Sequence, residues 1–165
     1  MSPIPWTSPR SWIAGEVVTA ALLNAQLRDN LLELNGTASA WSSFTVGWGS
    51  TGANPTLGNG ASVGQYKTVG KTCHFVVAIT TGSTTTAGTG DYKIQLPVAA
   101  VTESGLSQAV TIHYTSTVEL SGSGRIVSGG ITIGIFSVNN AKWSAGAPAM
   151  PTGTVIAISG TYQTA

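Results

Sequence analysis

Two hydrophobic periods divide the chain. Between residues 20 and 34, apolar side chains recur every three or four positions, which predicts an amphipathic α-helix. From about residue 43 onward, apolar and polar positions alternate in short runs separated by glycine-rich segments, which predicts β-strands and turns. We therefore predict three parts: an N-terminal arm and helix over residues 1–36, a linker over residues 37–42, and a β-domain over residues 43–165.

The predicted helix begins near Ala20 and ends near Leu34. Thr19 is a suitable N-cap, because its hydroxyl can accept a free backbone N–H, and Asn35-Gly36 can adopt the left-handed conformation that ends a helix. The apolar stripe has the spacing of a coiled-coil seam, at Ala20, Leu23, Leu27, Asn30 and Leu34. Two packings remain open. The stripe can face sister helices, where Asn30 would help to set the register, or it can face the chain's own β-domain.

The arm before the helix combines prolines with tryptophans. Proline fixes φ and lacks an N–H donor, so residues 1–12 are expected to be extended. Exposed tryptophans favour a covering partner, so we expect an arm laid on another surface; the alternative is a disordered terminus. We select six residues of the arm and helix as candidates for an oligomer or attachment contact: Trp6, Trp12, Leu23, Leu27, Asn30 and Leu34.

The β-domain is predicted to be an antiparallel β-sandwich or jelly roll, so that the fold class is mainly β with one N-terminal helix. Strands are predicted at residues 44–49, 62–69, 73–80, 92–96, 109–120 with a bend near Thr115, 125–127, 131–138 and 154–162. In the third of these, alternation defines two faces without deciding which points inward: Cys73, Phe75, Val77 and Ile79, or His74, Val76 and Ala78.

The charge content excludes several classes of partner. Charged residues make up 8% of the chain and the net charge is +1, whereas a quarter of residues is usual. Because no basic stripe exists, we do not expect nucleic-acid binding. No apolar run approaches the length of a membrane span, and the N-terminus has no pattern of a signal peptide. We expect a protein that is made in a cytoplasm, is not inserted into a membrane and, if it acts outside a cell, is released by lysis.

The stock of catalytic residues in the β-domain is small. Its acids, Asp91, Glu103 and Glu119, are far apart in sequence, and no nucleophile, phosphate-loop or zinc-protease motif is present. His74 and His113 are expected to be structural; the alternative is a ring of one histidine around a three-fold axis that binds an ion. We therefore predict no enzyme activity, no cofactor and no metal site.

Four further residues have a structural and, for three of them, a functional interpretation. Cys73 lies in the apolar run TCHFVVAI, is the only cysteine, and is expected to be a small buried hydrophobe. Trp41, Trp48 and Trp143 are favoured as core residues, with stacking on a sugar ring as the alternative.

A resemblance to a known family begins in the stretch P-x-x-W-x-x-G-E-x-V-T-A-x-x-L-N-x-x-L-R-D-N. The residues that form it are Pro9, Trp12, Gly15, Glu16, Val18, Thr19, Ala20, Leu23, Asn24, Leu27, Arg28, Asp29 and Asn30. This stretch resembles the N-terminal segment of minor tail proteins and related virion proteins from phages of actinomycetes. The order N-P-T-L-G-N-G, G-x-Y-x-x-V-G-K, G-S-T-T-T and a strand that ends in L-P is similar to their C-terminal β-domain.

The resemblance implies a non-enzymatic virion protein, a homotrimer attached to other virion proteins through its N-terminal segment. The β-domain would then serve a structural role or contact the host surface, with a cell-surface glycan as the ligand. Because no fibrous spacer separates the helix from the β-domain, we expect a short appendage. The alternative location is the capsid surface, as a decoration protein, and a third hypothesis is a carbohydrate-active virion enzyme.

Overall fold

The structure is a computed structural model that describes residues 7–34, 40–102, 107–127, 130–134, 143–144 and 149–165; side chains are described for these residues except 33–34, 127 and 130–134. The chain divides into two compact units, Met1–Trp41 and Ser42–Ala165, which we call the arm–helix unit and the β-unit. Trp6, Glu103, the Asn35-Gly36 helix stop and the side chain of Leu34 lie outside the described part of the chain, so their predicted roles stay predictions.

The helix begins where the sequence pattern places it, and its described part runs to Leu34. α1 (Ala20–Leu23), a π-helical segment (Asn24–Asp29) and α2 (Asn30–Leu34) follow one another without a break. Thr19 is the N-cap: its side chain accepts the backbone N–H of Leu22 at 3.3 Å. Hydrophobic period and capping chemistry are local properties, which is why sequence alone predicts these bounds.

The β-unit is mainly antiparallel sheet, as predicted. Its strands are β1 (Ser42–Phe44), β2 (Trp48–Ser50), β3 (Ala61–Val69), β4 (Thr72–Thr80), β5 (Tyr92–Ile94), β6 (Gln108–Thr115), β7 (Glu119–Val127), β8 (Gly130–Gly134) and β9 (Val155–Gln163). Among the described residues they form one hydrogen-bonded ladder in the order β1-β3-β4-β9-β6-β7-β8-β5-β2.

Chain connectivity forces this ladder to close on itself. Laid flat, nine strands would place β1 about 38 Å from β2, at a spacing of about 4.8 Å. Yet the ends of the ladder are joined by four Cα–Cα steps, from Phe44 to Trp48, which span at most about 15 Å. The sheet must therefore curl until its ends approach, and residues from both ends line one small cavity of ≈ 140 Å³, among them Val46, Trp48 and Ile79. A sandwich-like arrangement follows.

The core lies between the inward faces of the curled sheet. Of the two alternating sets in β4, the one that points inward is Cys73, Phe75, Val77 and Ile79. They meet inward residues of the neighbouring strands and of the opposite wall: Tyr92, Ile94, Val110, Ile112, Tyr114, Ile126, Trp143, Ile156, Ile158 and Tyr162. The outward set of β4 stays at the surface.

Two strand predictions are wrong in their connections. The predicted strand at 44–49 is two strands, β1 and β2, which lie at opposite ends of the ladder. The predicted bent strand at 109–120 and the short strand at 125–127 are a hairpin of β6 and β7, with a turn closed by the backbone N–H of Ser116 donating to the carbonyl of Val118. The turn residues are Ser, Thr and Val, which carry no strong turn signal.

Candidate attachment groove

The arm runs back along the helix and is held there by two side-chain amides. Asn30 is buried, its Oδ1 accepts the backbone N–H of Thr7 at 2.9 Å, and its Nδ2 donates to the carbonyl of Thr7 at 2.9 Å. One turn earlier, the Oε1 of Gln26 accepts the backbone N–H of Arg10 at 3.2 Å. An extended chain without secondary-structure partners has free backbone groups, and these two amides supply partners for them.

The side chain of Asn30 also competes with the backbone of its own helix. Its Nδ2 donates to the carbonyl of Gln26 at 3.2 Å, the acceptor that the backbone N–H of Asn30 would use in an α-helix. That N–H donates to the carbonyl of Leu27 instead. A side-chain amide that competes with the backbone in this way favours departure from α-helical geometry, and the π-helical segment ends at this residue.

Asn30 has a role within its own chain. Both hydrogen-bonding groups of its amide are engaged there, and the side chain is buried. Its part in setting the register of sister helices stays a prediction. The sequence period correctly places residue 30 on the face of the helix that packs, but the arm is what packs on it.

The W-x-x-G-E part of the sequence motif forms a compact turn. Gly15 has φ +82°, a conformation that favours glycine, and the backbone N–H of Glu16 donates to the carbonyl of Ile13 at 3.1 Å. The carboxylate of Glu16 is ion-paired with the guanidinium of Arg10 and accepts the N–H of Ile13. The same guanidinium lies 5.1 Å from the ring centroid of Trp12, a cation–π distance. This turn fixes the position of the Trp12 indole.

Between the arm and the helix lies an open groove of ≈ 390 Å³, which we call the attachment groove. Its lining residues are Pro9, Arg10, Trp12, Val18, Leu23, Gln26 and Leu27. Three of the residues selected from the sequence, Trp12, Leu23 and Leu27, therefore lie together on one surface. Their side chains are 46%, 43% and 55% exposed, so each keeps about half of its apolar surface in water.

Trp48 and Trp143 belong to the core of the β-unit, whereas Trp41, also favoured as a core residue, is 47% exposed. Trp143 is fully buried, with its ring 4.7 Å from that of Tyr92 in an edge-to-face arrangement, and it offers no ring face to a glycan. Trp48 is half-buried, and its ring centroid lies 5.4 Å from that of Tyr92. This is the core role that the sequence favoured. The indole Nε1 atoms of both residues find no hydrogen-bond partner in the described part of the chain.

Burial also sets the chemistry of the polar groups inside the β-unit. Burial raises the pKa of Tyr92 to about 12, and its hydroxyl donates to the carbonyl of Ala87 at 2.8 Å. Burial, followed by its contact with Cys73, raises the pKa of Tyr162, whose hydroxyl donates to the carbonyl of Val98 at 2.8 Å. The pKa of the Cys73 thiol is likewise raised by burial. These groups stay protonated at neutral pH and act as core residues.

The remaining titratable candidates lie apart. His74 and His113 are on the outward faces of β4 and β6, where their Nδ1 atoms contact Thr161 Oγ1 at 2.9 Å and Thr115 Oγ1 at 3.4 Å. Among the residues that the structure describes, no three His, Cys, Asp or Glu side chains are grouped as metal ligands. Within the same residues, no helix has the length and hydropathy required to span a membrane.

No protein-family model, curated protein or solved structure matches this chain.

Proposed function

We propose that this protein is a structural component of a phage particle, a minor tail or tail-tip protein that attaches through its arm–helix unit and projects its β-unit. The observation that carries the proposal is a coincidence between motif and geometry. Nine of the thirteen residues of the tail-protein-like stretch build the attachment groove: Pro9, Trp12, Val18, Leu23 and Leu27 line it, and Gly15, Glu16, Thr19 and Asn30 hold its walls in place.

The groove has the properties of a site for a protein partner. Its walls are held by hydrogen bonds and an ion pair within the unit, so little further ordering is needed on binding. Covering the exposed halves of Trp12, Leu23 and Leu27 would contribute roughly 1 kcal/mol each from the removal of apolar surface from water. The occupant is either another virion protein or the same unit of a sister chain.

The β-unit suits a structural or host-contacting role. Its two tyrosines with raised pKa and its cysteine are core residues, and its outward surface carries few charges. Hydrogen bonds join its loops at residues 51–60 and 82–91. For example, the backbone N–H of Thr89 donates to the carbonyl of Ala53 at 2.9 Å, and the backbone N–H of Ala53 donates to Thr89 Oγ1 at 2.8 Å. These hydrogen bonds hold the two loops against each other.

The proposal is tested on purified particles. Mass spectrometry of density-gradient fractions should find this chain in intact particles, and its copy number should be that of a tail component. Hundreds of copies per particle would instead assign it to the capsid surface as a decoration protein. Its absence from particles would contradict both assignments. Release of reducing ends from host wall glycans by the purified protein would contradict a purely structural role.

The groove itself is tested by a matched pair of variants. Leu27→Asp places a charge in the groove, which is costly to bury against an apolar partner. Val17→Asp makes the same chemical change at a position that is 78% exposed and does not line the groove. We expect particles to incorporate the Val17→Asp chain and to lack the Leu27→Asp chain. Equal incorporation of the two would show that attachment does not use the groove.

A further inference from the structure

The outer face of the sheet formed by β3, β4, β9, β6 and β7 has no charge at its centre. The strands pair so that outward side chains form rows across all five strands. One central row is Val63, Ala78, Ala157, His113 and Ser121. The next is Gln65, Val76, Ser159, Thr111 and Ser123. We call these two rows and the rows that flank them the outer face.

The outer face is unusual for a solvent-facing sheet. The exposed side of an antiparallel sheet normally alternates to polar and charged residues, whereas here small and β-branched side chains dominate. Val63 at 61% and Val76 at 40% are exposed, and together with Ala78 and Ala157 they line a shallow hollow of ≈ 270 Å³. Exposed valines grouped around an uncharged hollow favour an interaction site.

Two of the charges that flank these rows are arranged symmetrically on β7. Glu119 lies on the outer face at one end of the strand, paired with Thr115, and Arg125 lies on the same face at the other end, paired with Ala109. Both are exposed. Gly122 lies midway between them, three residues from each. It belongs to the inward-facing row that separates the two central rows. That row consists of Gly64, Val77, Ile158, Ile112 and Gly122.

We propose that the outer face packs against the same face of a second copy of this chain, around a two-fold axis that crosses the strands at the level of Gly122. This rotation places each strand of one copy over the same strand of the other copy, in the opposite direction. A residue on one side of the Gly122 row therefore faces the residue that lies equally far on the other side of that row in the second copy. Arg125 then lies opposite Glu119 of the second copy, and the second copy returns the same contact. Lys67, on β3, falls opposite Ala61, so no like charges are opposed.

The size and shape of the face allow such a contact. Five strands at about 4.8 Å and seven residues at about 3.3 Å per step give roughly 24 Å by 20 Å. Two such faces bury roughly 1,000 Å² in total, which is about the minimum for a biological interface and is typical of a weak dimer. The small side chains of the central rows permit the spacing of about 10 Å at which two sheets pack.

The occupant is inferred from the self-complementary pattern. An isologous interface requires each surface element to meet the element related to it by the two-fold axis, and the Glu119 and Arg125 pair satisfies this condition. A glycan platform would call for exposed aromatic rings, and the two central rows contain none apart from the imidazole of His113. This inference concerns the isolated protein and does not depend on its assignment to a virion.

The test is charge reversal in the full-length protein, read by sedimentation equilibrium and light scattering. Glu119→Arg and Arg125→Glu each place two like-charged pairs across the interface, so each should raise the dimer Kd at least about tenfold. The double variant Glu119→Arg/Arg125→Glu restores opposite charges and should return the Kd toward that of the natural chain. Lys93→Glu, a charge reversal on β5 outside the face, is the matched control and should leave the Kd unchanged. Circular dichroism establishes that each variant is folded.

A second variant probes the centre of the face. Ala157→Arg introduces a charge into the central row and should yield a monomer of 16.7 kDa. A natural chain that is monomeric under all conditions would overturn the proposal. So would an oligomer that ignores both single reversals, including a trimer of three times 16.7 kDa held by the attachment groove, and so would a double variant as weak as the single ones.

Discussion

Replacing Asn30 with leucine should release the arm from the helix without unfolding either unit. The substitution removes the two hydrogen bonds to Thr7, each 2.9 Å long, while keeping the size of the side chain. The helix itself should survive, because the carbonyl of Gln26 becomes free to accept the backbone N–H of residue 30 in the ordinary α-helical pattern. The perturbation is therefore confined to the packing of the arm on the helix.

The magnitude follows from the two hydrogen bonds that the substitution removes. Each hydrogen bond contributes about 0.5–1.5 kcal/mol net, so the closed arm should be destabilised by about 1–3 kcal/mol. At about 1.4 kcal/mol per factor of ten, the population of the released arm should rise roughly 5- to 150-fold. Gln26→Leu removes the single, longer bond to Arg10 at 3.2 Å and should have a smaller effect.

Hydrogen–deuterium exchange of peptides that cover residues 7–12 measures this population directly. Leu31→Ala is the control, since Leu31 is the next residue of the helix and its side chain is exposed. Exchange in the arm should accelerate in Asn30→Leu and remain unchanged in Leu31→Ala. An arm that exchanges at the same rate in Asn30→Leu as in the natural chain would refute the clamp. An equal acceleration in both variants would mean that the helix, and not the amide, determines arm release.

Three further predictions concern the core of the β-unit. Gly160→Ala should lower the free energy of unfolding, measured by urea titration, by about 1–3 kcal/mol, because the added Cβ would lie 2.6 Å from a Val110 methyl group. Ser159→Ala, at the neighbouring outward-facing position, is the control and should change the free energy of unfolding by less than about 0.5 kcal/mol. Trp143→Ala should cost about 3–5 kcal/mol by the same assay, since the ring is fully buried, and a cost near zero would contradict its role in the core. Because the pKa of Tyr92 is raised from 10 to about 12 on folding, its contribution to stability is complete below pH 10 and is lost as the pH rises toward 12. Urea midpoints should therefore fall over that interval, and tyrosinate absorbance should show buried tyrosines that ionise only as the protein unfolds; titration of every tyrosine near pH 10 would contradict this.

The strands that the sequence predicts well are those whose alternation is uninterrupted and whose ends carry glycine. β3 and β4 are joined by Gly70, which has φ +57°. For both strands the predicted first residue differs from the observed one by a single position, and the predicted last residue agrees. The sequence does not separate β6 from β7, because the alternation continues through Ser116–Val118, where no glycine, proline or asparagine marks the turn. Which face of a strand points inward is also open at the level of sequence, because a period of two defines two faces and ranks neither.

The sequence predicts the attachment groove in part. The sequence selects Trp12, Leu23 and Leu27 because they are apolar residues of an arm and a helix that need a packing partner. In the structure these three residues line one groove. Spacing places Asn30 in the same stripe, although its amide binds the arm. Spacing reports the direction in which a side chain points on a regular helix. It does not report what lies there, nor the π-helical segment that alters the later positions.

The sequence by itself determined the division into an arm, a helix and a β-region, the helix cap at Thr19, and most strands, because these depend on local period, capping and turn chemistry. The tertiary structure decided what depends on residues distant in sequence. It placed β1 and β2 at opposite ends of one ladder that must curl to meet, brought Thr7 to Asn30, and set Glu119 and Arg125 at equal distances from Gly122 on a face with no charge at its centre. Pairing across the sheet and packing across the core are long-range interactions, which no local pattern contains.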